Sequence, residues 1–270
     1  MSLRRLQNWL TGPRLLTLGI VFALAWSLSR VDWQQPIGHT GGGGAALQVL
    51  LALFPPELSQ EFLRICVVAS WHTLAYAIAG MSIAVALGLP LGVLASGVLA
   101  SSPDGSETRR RTLMASVRFL LAAMRSVHEL VWVLLFVAAV GLSPMAAILA
   151  MAIPYAGILG RIYAEQLQDV PAEPVAALRT TGASSAHILL YGYIPMALPD
   201  LLSYTFYRLE CGIRAAAIMS FVGIDGIGFQ IELSLADLLF RQVWTLLIFL
   251  VALVVAVDWW SSRVRRSMAY

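Results

Sequence analysis

Residues 65–99 read ICVVASWHTLAYAIAGMSIAVALGLPLGVLASGVL, and no Asp, Glu, Lys or Arg occurs between Arg64 and Asp104. A helix needs about 20 consecutive apolar residues to cross a bilayer. This run exceeds that length, so it can cross with room to tilt or to extend past the membrane. Gly88, Pro90 and Gly92 near its end predict a kink and a close approach to a neighbouring helix.

The rest of the chain agrees with that first run. Of 270 residues, 59% are hydrophobic and 12% charged, against roughly 25% charged in a soluble domain. Too few charges remain to cover a water-facing surface, so the class is a polytopic, all-α membrane protein. All 18 basic residues are Arg, and they lie between apolar runs rather than on one face. That pattern suits anchoring at a membrane surface and not nucleic-acid binding. Cys66 and Cys211 lie in separate apolar segments without CxxC spacing, as small buried hydrophobes do.

Six spans are predicted. The first, Leu15 to Ser29, is short and flanked by Arg14 and Arg30, which can snorkel to the interfaces. It reads as an uncleaved anchor, with a cleaved signal peptide as the rival because Ala23-Leu24-Ala25 resembles a cleavage site. A Gly- and Pro-marked external segment follows, with a short interfacial helix across Ala45 to Phe54. Span two lies within Ile65 to Leu99, span three is Ala115 to Leu142, and span four is Ser143 to Ala164. Span five covers Met196 to Val222, a Gly-rich re-entry covers Gly223 to Arg241, and span six covers Val243 to Trp260. Residues 1–64 thus form an N-terminal anchor with an external segment, and residues 65–270 a five-helix core.

Arginine placement orients the chain. Twelve of the arginines, among them Arg109, Arg110, Arg111, Arg161, Arg179 and Arg263, fall on one side of this topology. Only Arg30, Arg64 and Arg241 fall on the other. Both termini are therefore expected in the cytoplasm. Trp71, Trp132, Trp244, Trp259 and Trp260 fit an interfacial aromatic belt.

Enzymatic motifs are incomplete. A phosphate-binding Walker loop needs a Lys, and the chain has none. His128-Glu129 begins an H-E-x-x-H zinc site, but Trp132 stands where the second His would be. Gly182-Ala-Ser184-Ser-Ala186 departs from a G-x-S-x-G nucleophile elbow at its last position. His39, His72, His128 and His187 show no metal-ligand spacing.

The loop of about residues 165–195 carries the most information. It runs AEPVAALRTTGASSAHILLYGYIPMALP from Ala172 to Pro199: a short amphipathic helix, a break at Gly182, and a second helical stretch. Pro195 and Pro199 then punctuate the entry into span five. A surface helix of this kind suits docking into a partner's groove, although an ordinary connection would also look like this.

The loop resembles the signature of binding-protein-dependent ABC permeases, in which E-A-A, three residues and Gly precede an apolar-Pro pair. Ala176, Ala177, Leu178, Gly182 and the Ile194-Pro195 pair fall at those spacings, followed by Ala183 after the Gly. Ala176 replaces the usual Glu, Leu178 the second Ala, and Glu173 lies three residues earlier as a substitute acid. Within that class the chain resembles permeases of phosphonate-type importers, which include phosphite and hypophosphite carriers. Residues 125–141, 177–184 and 223–229 carry this likeness, which extends over about Ser70 to Trp260.

The resemblance implies a type I importer permease, present as a homodimer in the bacterial cytoplasmic membrane. Two cytoplasmic ATPase subunits would use ATP and Mg, an external binding protein would supply specificity, and the permease itself would hold no cofactor. Glu173, Ala176, Ala177, Leu178, Gly182 and Ala183 would then couple the spans to the ATPase. Cargo would be a phosphorus oxyanion, with another small anion or an amino acid as the alternative. A membrane enzyme or assembly factor carrying a similar loop is the competing class.

Charges inside spans point to function or pairing, since each costs roughly 2.5–3.5 kcal/mol at a helix centre. Arg125 and Glu129 in span three are four apart, as are Glu210 and Arg214 in span five; both pairs can close along one helical face. Arg208 then lacks a partner on its own helix. These five residues form the candidate pathway for an anion, the alternative being ion pairing such as Arg208 with Glu129. Gly226 and Gly228 are expected to make a tight turn, in preference to a close helix approach.

Overall fold

A computed structural model describes residues 12–31, 42–100 and 107–268. Every regular element among them is helical, and they divide into a unit ending at Leu51 and a larger one beginning at Ala52. The first holds α1 (Gly12–Ser29) and α2 (Gly42–Leu51). The apolar part of α1, Leu15–Ser29, is shorter than the three helices long enough to cross a membrane by themselves. Arg4, Arg5 and residues 101–106 lie outside the described residues, and so do the expectations that fall on them.

The larger unit is organised around α3 (Gln60–Ser96) and α6 (Pro144–Gln168). At 1.5 Å per residue α3 is about 55 Å long, more than a bilayer's hydrocarbon core. A Cβ on Gly80 would meet Ile148 O and Met151, one on Gly88 would meet Ala156 O and Gly160 N, and one on Gly92 would meet Gly160 O. The paired positions advance together, so the two helices run parallel. Between them Ala77, Ala84, Ala147, Ala150 and Ala156 are buried. In lipid no hydrophobic drive exists between helices, and small residues hold them by letting backbones approach to contact distance. The close approach expected at Gly88 and Gly92 is this seam, and α3 continues through Pro90 without interruption.

Span three is broken where the sequence suggested one helix. α4 (Glu107–Ser126) and α5 (Glu129–Val140) meet at an angle of 83°. His128 is extended (φ −65°, ψ 144°), and its Nδ1 accepts a hydrogen bond from Leu130 N at 3.2 Å. A cap at this point starts a new helix and supplies a partner for one of its free N–H groups. α4 packs antiparallel to α6: a Cβ on Gly157 would touch Met124 and Arg125 N, while one on Gly160 would touch Leu121.

The other end of the bundle is also built from a broken element. α7 (Ala172–Thr180) and α8 (Ser185–Ile188) lead through one π-helical turn (Leu189–Tyr193) into α9 (Ile194–Met219). After α9 the chain turns at Gly223 (φ +101°) into α10 (Ile227–Ala236), bent by 45° from the preceding helix. α11 (Phe240–Met268) closes the bundle.

The expected roles of Gly226 and Gly228 are reversed by the packing. The left-handed turn belongs to Gly223, whereas Gly226 is extended, with φ 160°. A Cβ on Gly226 would lie 2.6 Å from Ser220 Oγ, and one on Gly228 would overlap the Ala217 carbonyl oxygen. These two glycines seat α10 on the end of α9. Thr73 Oγ1 holds the same joint by accepting a hydrogen bond from Ile227 N at 3.0 Å while donating to Ala69 O.

Three helices, α3, α6 and α11, are each long and apolar enough to cross a membrane, and counting each bent pair as one span gives five. Arginines segregate along the bundle as the sequence requires. Arg110, Arg111 and Arg118 on α4, Arg161 late in α6 and Arg263, Arg265 and Arg266 late in α11 share one end. Arg64 and Arg241 mark the other, where Arg241 Nε donates to Pro55 O at 2.7 Å. Trp71, Trp259 and Trp260 are exposed, as belt residues should be. Trp132 is not: it is half-buried, stacks on Phe136 and packs against the core.

Candidate translocation cavity and coupling loop

Midway along the bundle, α5, α6 and α9 form an open cavity of about 260 Å3 lined by His128, Glu129, Tyr155, Arg208, Cys211 and Arg214. α9 places Arg208, Cys211 and Arg214 on one face because they recur at helical spacing. The helical break brings His128 and Glu129 to the same cavity from the start of α5.

The charges are disposed unequally. Arg214 Nη2 lies 3.5 Å from Glu210 Oε1 and 3.5 Å from Cys211 Sγ. Arg208 forms no ion pair among the described residues. Its guanidinium carbon sits 4.4 Å from the centroid of the Tyr155 ring, and its buried Nε has no hydrogen-bond partner. An aromatic face attracts a cation, by about 0.5–2 kcal/mol, without neutralising it. Arg208 therefore keeps its charge available to the cavity.

Arg125 and Glu129 do not pair. The break at residues 126–128 puts Arg125 at the end of α4 and Glu129 at the start of α5, so the one-face geometry expected for an i, i+4 pair is lost. Glu129 instead lies 3.8 Å from His128 Nε2, and Arg125 lines a different recess with Arg118 and Arg161. The alternative of Arg208 pairing with Glu129 is not formed either. Tyr155 was not singled out by sequence, and His128 and Cys211 were noted there as a broken metal motif and a small buried hydrophobe, not as cavity residues. His128 caps α5 although it is not one of the Ser, Thr, Asp or Asn residues that mark a helix start in sequence, and Tyr155, inside an apolar run, carried no signal.

In the candidate coupling loop, Val175 is buried and Leu178 turns inward against Gly192. That leaves Glu173, Ala176, Ala177 and Thr180 exposed at i, i+3, i+4 and i+7, one stripe of α7. Gly182 has φ +74° and follows α7 as the residue that reverses the chain. Ser184 then caps α8, its Oγ lying 2.7 Å from His187 Nδ1. Glu173, Ala176 and Ala177 are thus brought together on one surface, with Leu178 beneath it and Gly182 and Ala183 at its edge.

Residues 88–270 match the family described as binding-protein-dependent transport system inner membrane component. The chain belongs to this family. The permease is also 34% identical over 258 residues to the phosphite transport system permease protein PtxC of Stutzerimonas stutzeri, covering 94% of this chain and 88% of that one. It is 26% identical to the phosphate-import permease protein PhnE of Mycolicibacterium smegmatis, over 90% of this chain and 43% of that protein. Among solved structures, an inward-facing MetNI methionine ABC transporter chain shares the fold, with a TM-score of 0.67 and 23% identity. That match covers 78% of this chain and 99% of the other. The fold is therefore that of type I ABC importer permeases, and the chain is a transport subunit of a binding-protein-dependent ABC importer.

Proposed function

We propose that this permease carries a phosphorus oxyanion (phosphonate, phosphite or hypophosphite) into the bacterial cell, by ATP-driven alternating access. The observation that carries the reading is Arg208: a half-buried guanidinium with no carboxylate partner among the described residues, lining a cavity in a chain similar to a phosphite permease. A homodimer would place two such charges on one pathway. Two ATPase subunits hydrolyse ATP with Mg, and an external binding protein delivers the cargo. The short helix α1 serves as the sixth span, and both termini are cytoplasmic in the inner membrane.

The cargo is tested by proteoliposome uptake with the ATPase and binding protein present. Radiolabelled phosphite should accumulate on ATP addition, and excess methylphosphonate should compete while methionine and glycine betaine should not. ATP-dependent uptake of methionine in place of phosphite would overturn the cargo assignment.

The stripe on α7 is the proposed ATPase contact. Gly182→Val should uncouple the complex, because a β-branched side chain is strained at φ +74° even though the surrounding space is open. Binding-protein-stimulated ATP hydrolysis is expected to fall to near its basal rate, while Gly182→Asn, which tolerates that conformation, retains most of it. Full stimulation in Gly182→Val would remove the loop from this role.

Orientation is tested by labelling in intact cells after replacing Cys66 and Cys211. A cysteine introduced at Ala186 should be protected from a membrane-impermeant maleimide, and one at Ser59 should react. The opposite pattern would invert the topology and detach the loop from a cytoplasmic ATPase.

A further inference from the structure

A second recess, of about 330 Å3, lies between α3, α4 and α6 toward the arginine-rich end of the bundle. Arg118, Arg125, Arg161, Glu165 and Gln168 line it, with Leu121 among the apolar walls. Its charge is unbalanced. Arg161 Nε is matched by Glu165 Oε1 at 2.8 Å. Among the described residues Arg118 uses only its Nε, donating to Ala95 O at 3.1 Å, which leaves both terminal nitrogens over. Arg125 makes no hydrogen bond or ion pair among the described residues.

The other polar groups nearby are occupied in a way that favours an anion. Ala95 O and Ser96 O, the negative end of α3, are covered by Arg118 and by Gln168 Nε2, the latter at 2.9 Å. With those carbonyls satisfied, three guanidinium groups face one carboxylate. Planar guanidinium forks match the oxygens of a phosphoryl group in pairs, which a lone ammonium cannot do. Basic recesses between membrane helices hold phosphate headgroups for the same reason.

We infer that this recess is a second anion site, taking a tetrahedral phosphorus oxyanion between Arg118, Arg125 and Arg161. The oxyanion has two possible sources, an anionic phospholipid headgroup or the free cargo. Only the second rests on the proposed cargo. In either case Arg125 and Arg118 supply the attraction, and Glu165 limits it by holding Arg161.

The permease in complex with its ATPase is placed in nanodiscs for two measurements. In phosphatidylcholine discs, binding of radiolabelled phosphite is measured by equilibrium dialysis. In discs containing phosphatidylglycerol, the number of retained anionic lipids is counted by native mass spectrometry. Arg125→Gln should weaken one of the two by about tenfold, as loss of a charge-assisted contact predicts, and the arm affected identifies the source. Glu165→Gln should strengthen the same arm severalfold; this arm keeps the inference testable if Arg118→Gln, which uncovers Ala95 O, fails to fold. Arg111→Gln, on the exposed face of α4, should change neither. Phosphite binding lost in Arg208→Gln but kept in Arg125→Gln, with lipid retention unaltered, would overturn the second site and leave the central cavity intact. No response of either probe to Arg125→Gln and Glu165→Gln would also overturn it.

Discussion

Gly228→Ala is expected to abolish accumulation of folded permease in the membrane. The added methyl would coincide with the Ala217 carbonyl oxygen, and Phe221 closes the remaining side at 3.0 Å. Overpacking typically costs about 1–3 kcal/mol because side chains can rotate away. Here the obstacle is backbone in the last turn of α9, so α10 itself has to move. That movement would also part Ile227 N from Thr73 Oγ1, leaving a buried donor without its 3.0 Å partner, a loss of about 1–3 kcal/mol. Size-exclusion chromatography of a fluorescent fusion should show little monodisperse protein. A variant with the parent's yield and thermal midpoint would mean that α10 is not seated on α9 as described.

Arg208→Gln is expected to reduce the initial rate of phosphite uptake by at least about tenfold, equivalent to 1.4 kcal/mol of lost stabilisation along the pathway. A site for passage must attract its ion without trapping it. A cation resting on Tyr155, sharing the cavity with Glu129 but forming no ion pair among the described residues, meets that requirement. Stability should respond differently from transport. Neutralising the side chain removes a cation–π contact of about 0.5–2 kcal/mol, but also removes a membrane charge that costs roughly 2.5–3.5 kcal/mol. The thermal midpoint should hold or rise, and basal ATP hydrolysis should persist. A fall in the midpoint reversed by adding Glu129→Gln would make Arg208 a structural ion-pair member, and unchanged uptake would remove it from the pathway.

The fold was largely legible because a bilayer allows few solutions: long apolar runs, a consistent arginine asymmetry and Pro- or Gly-marked joints. The α7–Gly182–α8 arrangement was legible for a local reason, since a positive-φ glycine between two helical patterns leaves a composition signal. The 83° break was not. Ser126, Val127 and His128 interrupt hydropathy too little to separate two helices, and His128, which caps α5, is not among the residues that usually announce a helix start. Gly226 and Gly228 were misjudged because a glycine can mean a turn or a contact. Sequence alone does not say which helix will lie against it. The cavity's aromatic wall, Tyr155, depends on the parallel pairing of α3 with α6 and the antiparallel return of α9, all long-range facts.

The seam between α3 and α6 also has a mechanical meaning. Two unbroken helices fused through backbone contact at Gly88, Gly92 and Gly160 behave as one stiff strut. The far end of α6 leads within a few residues into α7, so a push delivered there would travel along the strut's axis with little loss. The compliant parts are the two joints at residues 126–128 and 223–226, where helices meet at 83° and 45°. Both lie off the strut, and the first borders the central cavity. Force would therefore arrive through a rigid member and be released as rotation of α5 about its joint, which changes the width of the cavity while the seam stays closed.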